Sequence, residues 1–163
     1  MKYSNFINVS AAGICSAVIL SACGAANDNS AELIDFRQKV DTFCTSIATA
    51  DSNINAVNTE VEGYEQSILT ELDNLDVSFR EFAALDFPSD YDYLEALAKE
   101  ASSYMDTAVE NYHDVFENEY SATDLESKYT YASENYNRAY KRIQIIVSFL
   151  NGEISDGVTV TNN

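Results

Sequence analysis

The 163-residue sequence has no tryptophan, one proline and five glycines. All-β folds need turn residues every few positions, so this scarcity argues against a sandwich or barrel of short strands. A single histidine is present, which removes chemistry built on histidine pairs. Glu110-Asn111-Tyr112-His113 has the Glu-x-x-His spacing of di-iron bundles, but it occurs once, where two copies on paired helices are needed. There is no G-x-S-x-G elbow. Basic residues are also few: nine Lys and Arg stand against 27 Asp and Glu, for a net charge of −18. Such a chain is repelled by nucleic acid and by anionic headgroups, so no nucleic-acid partner is expected. Long apolar runs are absent too. Residues 7–22 (INVSAAGICSAVILSA) carry no charge, yet they fall short of the roughly 20 apolar residues of a membrane span.

That uncharged run ends in Leu20-Ser21-Ala22-Cys23, followed by Gly24, and Lys2 supplies the one positive charge before it. This arrangement resembles the signal peptide and lipobox of bacterial lipoproteins. The resemblance implies cleavage before Cys23 and attachment of a diacylglycerol to its sulfur. The implied address is the extracytoplasmic face of the cell membrane, held by lipid. Two acyl chains on one residue anchor stably where one chain does not. Losing residues 1–22 would remove Lys2 and no acid, taking the charge to about −19. Cys15 would leave with the signal and Cys23 would be acylated, so Cys44 alone remains and no intrachain disulfide can form. The domain must then be held by its core, and residues 23–163 are enough for one domain.

Residues 23–31 read as a lipidated tether. Its small, polar residues 24–31 (GAANDNSA) form a coil reaching on the order of 15 Å. Residues 153–163 (EISDGVTVTNN) lack periodicity and read as a tail. Between them, residues 32–152 carry helical stripes. Leu33, Phe36, Val40, Phe43 and Ile47 form the first. Ile54, Val57, Val61, Tyr64, Ile68, Leu72, Leu75, Phe79 and Phe82 continue it. Leu94, Leu97, Ala101, Met105, Ala108, Tyr112, Val115 and Phe116 form a third. Leu125, Tyr129, Ala132, Tyr136, Ala139, Ile143, Ile146 and Leu150 form a fourth.

The punctuation agrees with four helices. Phe87-Pro88 ends the second, because the residue before proline avoids helical angles. Pro88 or Ser89 then starts the third, with Asp90 and Asp92 in its first turn. Thr123 and Glu126 have capping-box spacing for the fourth, and Gly152 sits where a C-cap glycine belongs. Asp51-Ser52-Asn53 favour turns, so a break is expected there. The resulting expectation is an all-α, up-down four-helix bundle. The apolar phase does not slip across that joint, so the alternative is a three-helix bundle with one long first helix.

Asp51, Asn53, Asn55 and Glu62 resemble positions 1, 3, 5 and 12 of an EF-hand loop. Ala56 stands where that loop needs glycine, and Asn58 where an aliphatic residue is usual, so no metal site is expected. Nine of the eleven tyrosines lie within residues 91–140. Tyr112, Tyr129 and Tyr136 fall on stripes and read as core. Tyr131 and Tyr140 lie off the stripe; with Tyr104 they could line a groove between the last two helices. Arg138, Lys141 and Arg142 form the one basic cluster, a candidate ligand site for an anion or dock for an acidic partner, or simply charge balance. Cys44 reads as a small core residue, and His113 as a surface or boundary residue.

Leu85-Asp86-Phe87-Pro88 and Asn135-Tyr136-Asn137-Arg138-Ala139, together with the lipobox, resemble small helical lipoproteins of unassigned role from Gram-positive gut bacteria; the resemblance implies no activity. No catalytic set and no cofactor are expected. The expected function is a non-enzymatic, membrane-anchored module contacting a protein or envelope partner. The alternative is a small-ligand or cation-binding lipoprotein that uses the tyrosine-lined groove.

Overall fold

The computed structural model describes residues 31–152. The signal and lipobox readings, including Cys23, and the tail at 153–163 lie outside the described residues. Four helices follow one another: α1 at Ala31–Ala56, α2 at Tyr64–Ala83, α3 at Glu95–Glu117 and α4 at Ala122–Leu150, with a 3-10 helix at Ser89–Leu94 before α3. There is no strand among the described residues. The chain is an all-α, up-down four-helix bundle.

Antiparallel packing follows from which residues meet. Phe36 reaches Phe87 beyond the end of α2, while Phe43 reaches Phe79 and Phe82 within it. Between α2 and α3, Asp73 meets His113 and Arg80 meets Asp106. Between α3 and α4, Tyr112 meets Tyr129 and Glu100 meets Arg142. In each pair the higher number on one helix faces the lower number on the next.

The core lies where the stripes converge. Ile47, Leu75, Phe79, Leu94, Met105, Ile143 and Ile146 are fully enclosed. Phe43 and Phe82 stack at 4.3 Å, and Phe79 tilts against Tyr140 at 5.7 Å. Cys44 is buried, as its position beside Phe43 predicts. Alanines at 98, 101, 108, 132 and 139 are also buried. Their lack of bulk suits a close approach of the extensively packed α3 and α4.

Three boundaries differ from the sequence expectation. Asp51-Ser52-Asn53 do not break the first helix, and neither does one helix run through to residue 83. Helix α1 continues to Ala56, and the joint is residues 57–63. The helix persists because Asp51 and Ile54 are both buried in it, so ending it earlier would discard their tertiary contacts. The joint has its own chemistry. Asn58 Oδ1 accepts from the Glu60 amide at 3.0 Å, and Gly63 adopts φ +79° at the N-cap of α2. A left-handed cap suits glycine, which has no Cβ to clash. Val61, placed on the stripe by spacing, is 58% exposed in that joint.

The third helix begins as a 3-10 turn, with the Tyr91 amide on the Pro88 carbonyl at 2.7 Å, and becomes α-helical only at Glu95. The fourth starts two residues early. Its cap is Ser121, whose Oγ accepts from the Asp124 amide at 3.3 Å and donates to the Asp124 carboxylate at 2.6 Å. Ser121 and Asp124 have the same spacing as Thr123 and Glu126 and lie at the actual turn. At the other end, Gly152 has φ +71° and its amide bonds to Phe149 O at 2.9 Å. This is the expected glycine stop.

Candidate functional site

Two side-chain groups in the bundle concentrate polar chemistry near its core. The first joins α1 to α4. Asp51 is 7% exposed, and Tyr136 and Tyr140 are one turn apart on α4 with rings stacked at 4.7 Å. The Tyr140 hydroxyl donates to Asp51 Oδ1 at 2.8 Å, Tyr136 donates to the same oxygen, and the two hydroxyl oxygens lie 3.0 Å apart. The three oxygens therefore form a triangle. With Asp51 ionised, two hydroxyl protons serve three edges. A proton on the carboxyl fills the third. Burial pushes the Asp51 carboxyl above the usual carboxylate range, against the two tyrosine hydrogen bonds that favour its charge. Burial also pushes the Tyr136 phenol far above its usual value.

The second group lies along α2 and α3. Asp76 is buried, with Oδ2 on Arg80 at 2.6 Å and Oδ1 without a hydrogen-bond partner. Burial raises its carboxyl, and the neighbouring Asp106, Asp73 and Glu110 add to this against the pull of Arg80. Arg80 also bonds Asp106 across to α3. One turn away along α2, His113 Nε2 and Asp73 Oδ1 are 2.8 Å apart, and His113 Nδ1 and Glu117 Oε1 are 2.8 Å apart. Burial disfavours the imidazolium, but the two carboxylates outweigh it, so His113 titrates above its ordinary value.

The structure divides the candidates chosen by sequence. Tyr104, Arg138 and Arg142 come together: both guanidinium carbons stand over the Tyr104 ring, at 5.8 and 5.6 Å. Arg142 Nε donates to Glu100 at 2.7 Å, and its side chain is only 13% exposed. Arg138 remains half-exposed, 3.8 Å from Glu134. Lys141 is exposed, and Tyr131 is 49% exposed. Tyr140 is 4% exposed and belongs to the Asp51 triangle, so its placement off the stripe is corrected: it does not share a groove with Tyr104 and Tyr131. The reason is register. Tyr140 follows the buried Ala139 and precedes Ile143 by three residues, and the acceptor on α1 draws the hydroxyl inward. Tyr104 is instead a platform for two cations, which suits its ring quadrupole.

No family model matches the chain, nor does any curated protein or solved structure.

The EF-hand resemblance is also revised. Residues 51–56 are helical and Asp51 faces the core, so the loop that would converge these oxygens is not formed. Among the described residues no three His, Cys, Asp or Glu side chains are grouped to hold a metal ion. Sequence reasoning missed the turn that joins α3 and α4. Asp114 accepts from Lys128 Nζ at 2.6 Å, from the Tyr120 hydroxyl at 2.6 Å and from Asn118 Nδ2 at 3.1 Å. The first two of these bonds hold the Asp114 carboxyl below the usual carboxylate range. The partners are 4, 6 and 14 residues away, a spacing with no periodic signature.

Proposed function

We propose that the protein is a lipid-anchored module on the extracytoplasmic face of the membrane, acting by contact with a protein or envelope partner rather than by catalysis. Leu20-Ser21-Ala22-Cys23 at the end of an uncharged run carries this reading. Among the described residues no helix is long and apolar enough to cross a membrane.

The topology of the bundle says which end such an anchor would hold. The up-down order puts the start of α1, the end of α2, the start of α3 and the end of α4 at one end, where Phe36 meets Phe87 and Tyr93 meets Phe149. A tether from Cys23 joins the bundle at that end. The joint at 57–63 and the turn at 118–121 are at the other end, which in this reading is the end away from the membrane. They carry exposed Glu60, Glu62 and Glu119, and the helix turns beside them expose Glu117, Asp124 and Glu126. Lys128, the base nearest this end, is already bound to Asp114. The first end also exposes Glu32, Asp35, Asp86, Asp90 and Asp92, so the module is negative at both ends and favours a basic partner.

The test is incorporation of a clickable palmitate in the native bacterium. Wild-type protein takes the label and fractionates with the membrane. Cys23→Ala is expected to take none and to persist as the longer precursor. Labelling of that variant at the wild-type level would refute the anchor.

A further inference from the structure

Between α1 and α2 the bundle has an open groove of about 220 Å³, floored by Phe43, Phe82 and Leu85 and rimmed by Lys39, Ser46 and Glu81 among others. We propose that this groove binds a small organic cation: one aromatic-sized apolar ring bearing an ammonium group, the ring on the phenylalanine floor and the ammonium on Glu81.

Size sets the body of the ligand. An apolar cavity of about 150 Å³ accommodates benzene. A groove of about 220 Å³ therefore has room for one ring and a short arm. Phe43 and Phe82 are stacked on each other and almost wholly buried, so what they offer the ring, with half-buried Leu85, is an apolar floor of ring edges.

Hydrogen-bond capacity sets the head group. The hydroxyls lining the groove have already spent their protons on their own helices. Thr42 donates to Gln38 O at 2.9 Å, Ser46 to Thr42 O at 3.1 Å and Ser78 to Asn74 O at 2.9 Å. Toward the groove these oxygens can only accept. An ammonium has three donors and no acceptor, so it complements them. Charge points the same way. Lys39 is held by Asp35 at 2.6 Å, whereas Glu81 has no ion-pair partner among the described residues. The field of a chain carrying −18 also concentrates cations at its surface. An anion of equal size would meet the same acceptors and the Glu81 carboxylate, with Lys39, shared with Asp35, as the one cation on the rim. None of this depends on the lipid anchor.

The experiment is calorimetric titration of the full-length protein in non-ionic detergent with benzylammonium. Phenylacetate, with a similar ring and the opposite charge, and methylammonium, with the charge and no ring, are the matched probes. Benzylammonium is expected to bind saturably with a Kd of about 0.1–3 mM, a range suited to so small a ligand. Both matched probes are expected to bind at least about tenfold more weakly. Glu81→Gln is expected to weaken benzylammonium about tenfold or more by removing the charge-assisted bond. Ser46→Phe is expected to abolish binding by filling the groove. Both positions are exposed, so the melting temperatures of the variants should stay at the wild-type value. Absence of saturable binding to the wild type, equal affinity for methylammonium, or wild-type affinity in a folded Glu81→Gln variant would each overturn the proposal.

Discussion

Removing the Asp51 carboxylate tests how α1 is held to α4. Asp51→Ala takes away the oxygen on which two buried hydroxyls converge. Each hydroxyl left without its acceptor costs about 1–3 kcal/mol. The two tyrosine oxygens, 3.0 Å apart, can satisfy one another only in part. The expected loss is about 3 kcal/mol, a large fraction of the roughly 5–15 kcal/mol that holds a domain together. Asp51→Asn keeps an acceptor oxygen and removes a buried charge, so it should cost less, within about 1 kcal/mol. Asp51→Ala combined with Tyr136→Phe and Tyr140→Phe removes all three groups of the triangle at once. It should be more stable than Asp51→Ala alone, because no buried hydroxyl is stranded.

The pH dependence has a definite sign. The folded-state pKa of Asp51 is raised above its ordinary 3.8, so the folded protein binds this proton more tightly than the unfolded chain does. The associated stabilisation is complete below the unfolded value and is lost as pH rises through the folded one. Relative to Asp51→Asn, wild type should therefore gain stability as pH falls from 7 toward 4. Using that variant as the reference cancels the general effect of neutralising other acids. Urea unfolding followed by circular dichroism at pH 7 and pH 4.5 gives both quantities. Equal losses in Asp51→Ala and Asp51→Asn, or a wild type that weakens against Asp51→Asn in acid, would refute the hydrogen-bonded triangle as the α1–α4 link.

Two further outcomes follow from the same geometry. Ile146 is fully enclosed on α4, and Ile146→Asp should cost about 4 kcal/mol or more through lost burial and an unpaired charge; a change of a few tenths in urea unfolding would mean the helix face is misassigned. His113 titrates above its ordinary 6.5 because of Glu117 and Asp73, so its stabilising effect should be complete below pH 6.5 and fall away as pH rises through the folded value. Proton-detected titration of the imidazole should place its midpoint above 6.5, and replacing both Asp73 and Glu117 with their amides should lower it.

The sequence by itself determined the helices, their number and most of their buried faces. A 3.6-residue spacing of apolar side chains needs no knowledge of the partner surface to identify the face that must be covered. Pro88 and Gly152 likewise act locally, through their own backbone angles, and both are at element boundaries as expected. The tertiary structure decided the residues whose local preference is weak or opposed. Asp51 favours a turn on its own, yet α4 supplies two hydroxyl donors, and the helix runs past it to Ala56. Tyr140 sits at the edge of its stripe, where a few degrees of helix rotation separate core from surface, and the buried carboxylate on α1 settles it inward. Tyr104 and Arg142 are 38 positions apart and meet only because α3 and α4 are antiparallel. The Phe43–Phe82 floor of the groove likewise exists only once α1 is laid against α2. Local spacing fixes what a helix must bury, whereas the packing of one helix on another fixes which polar groups find partners when it does.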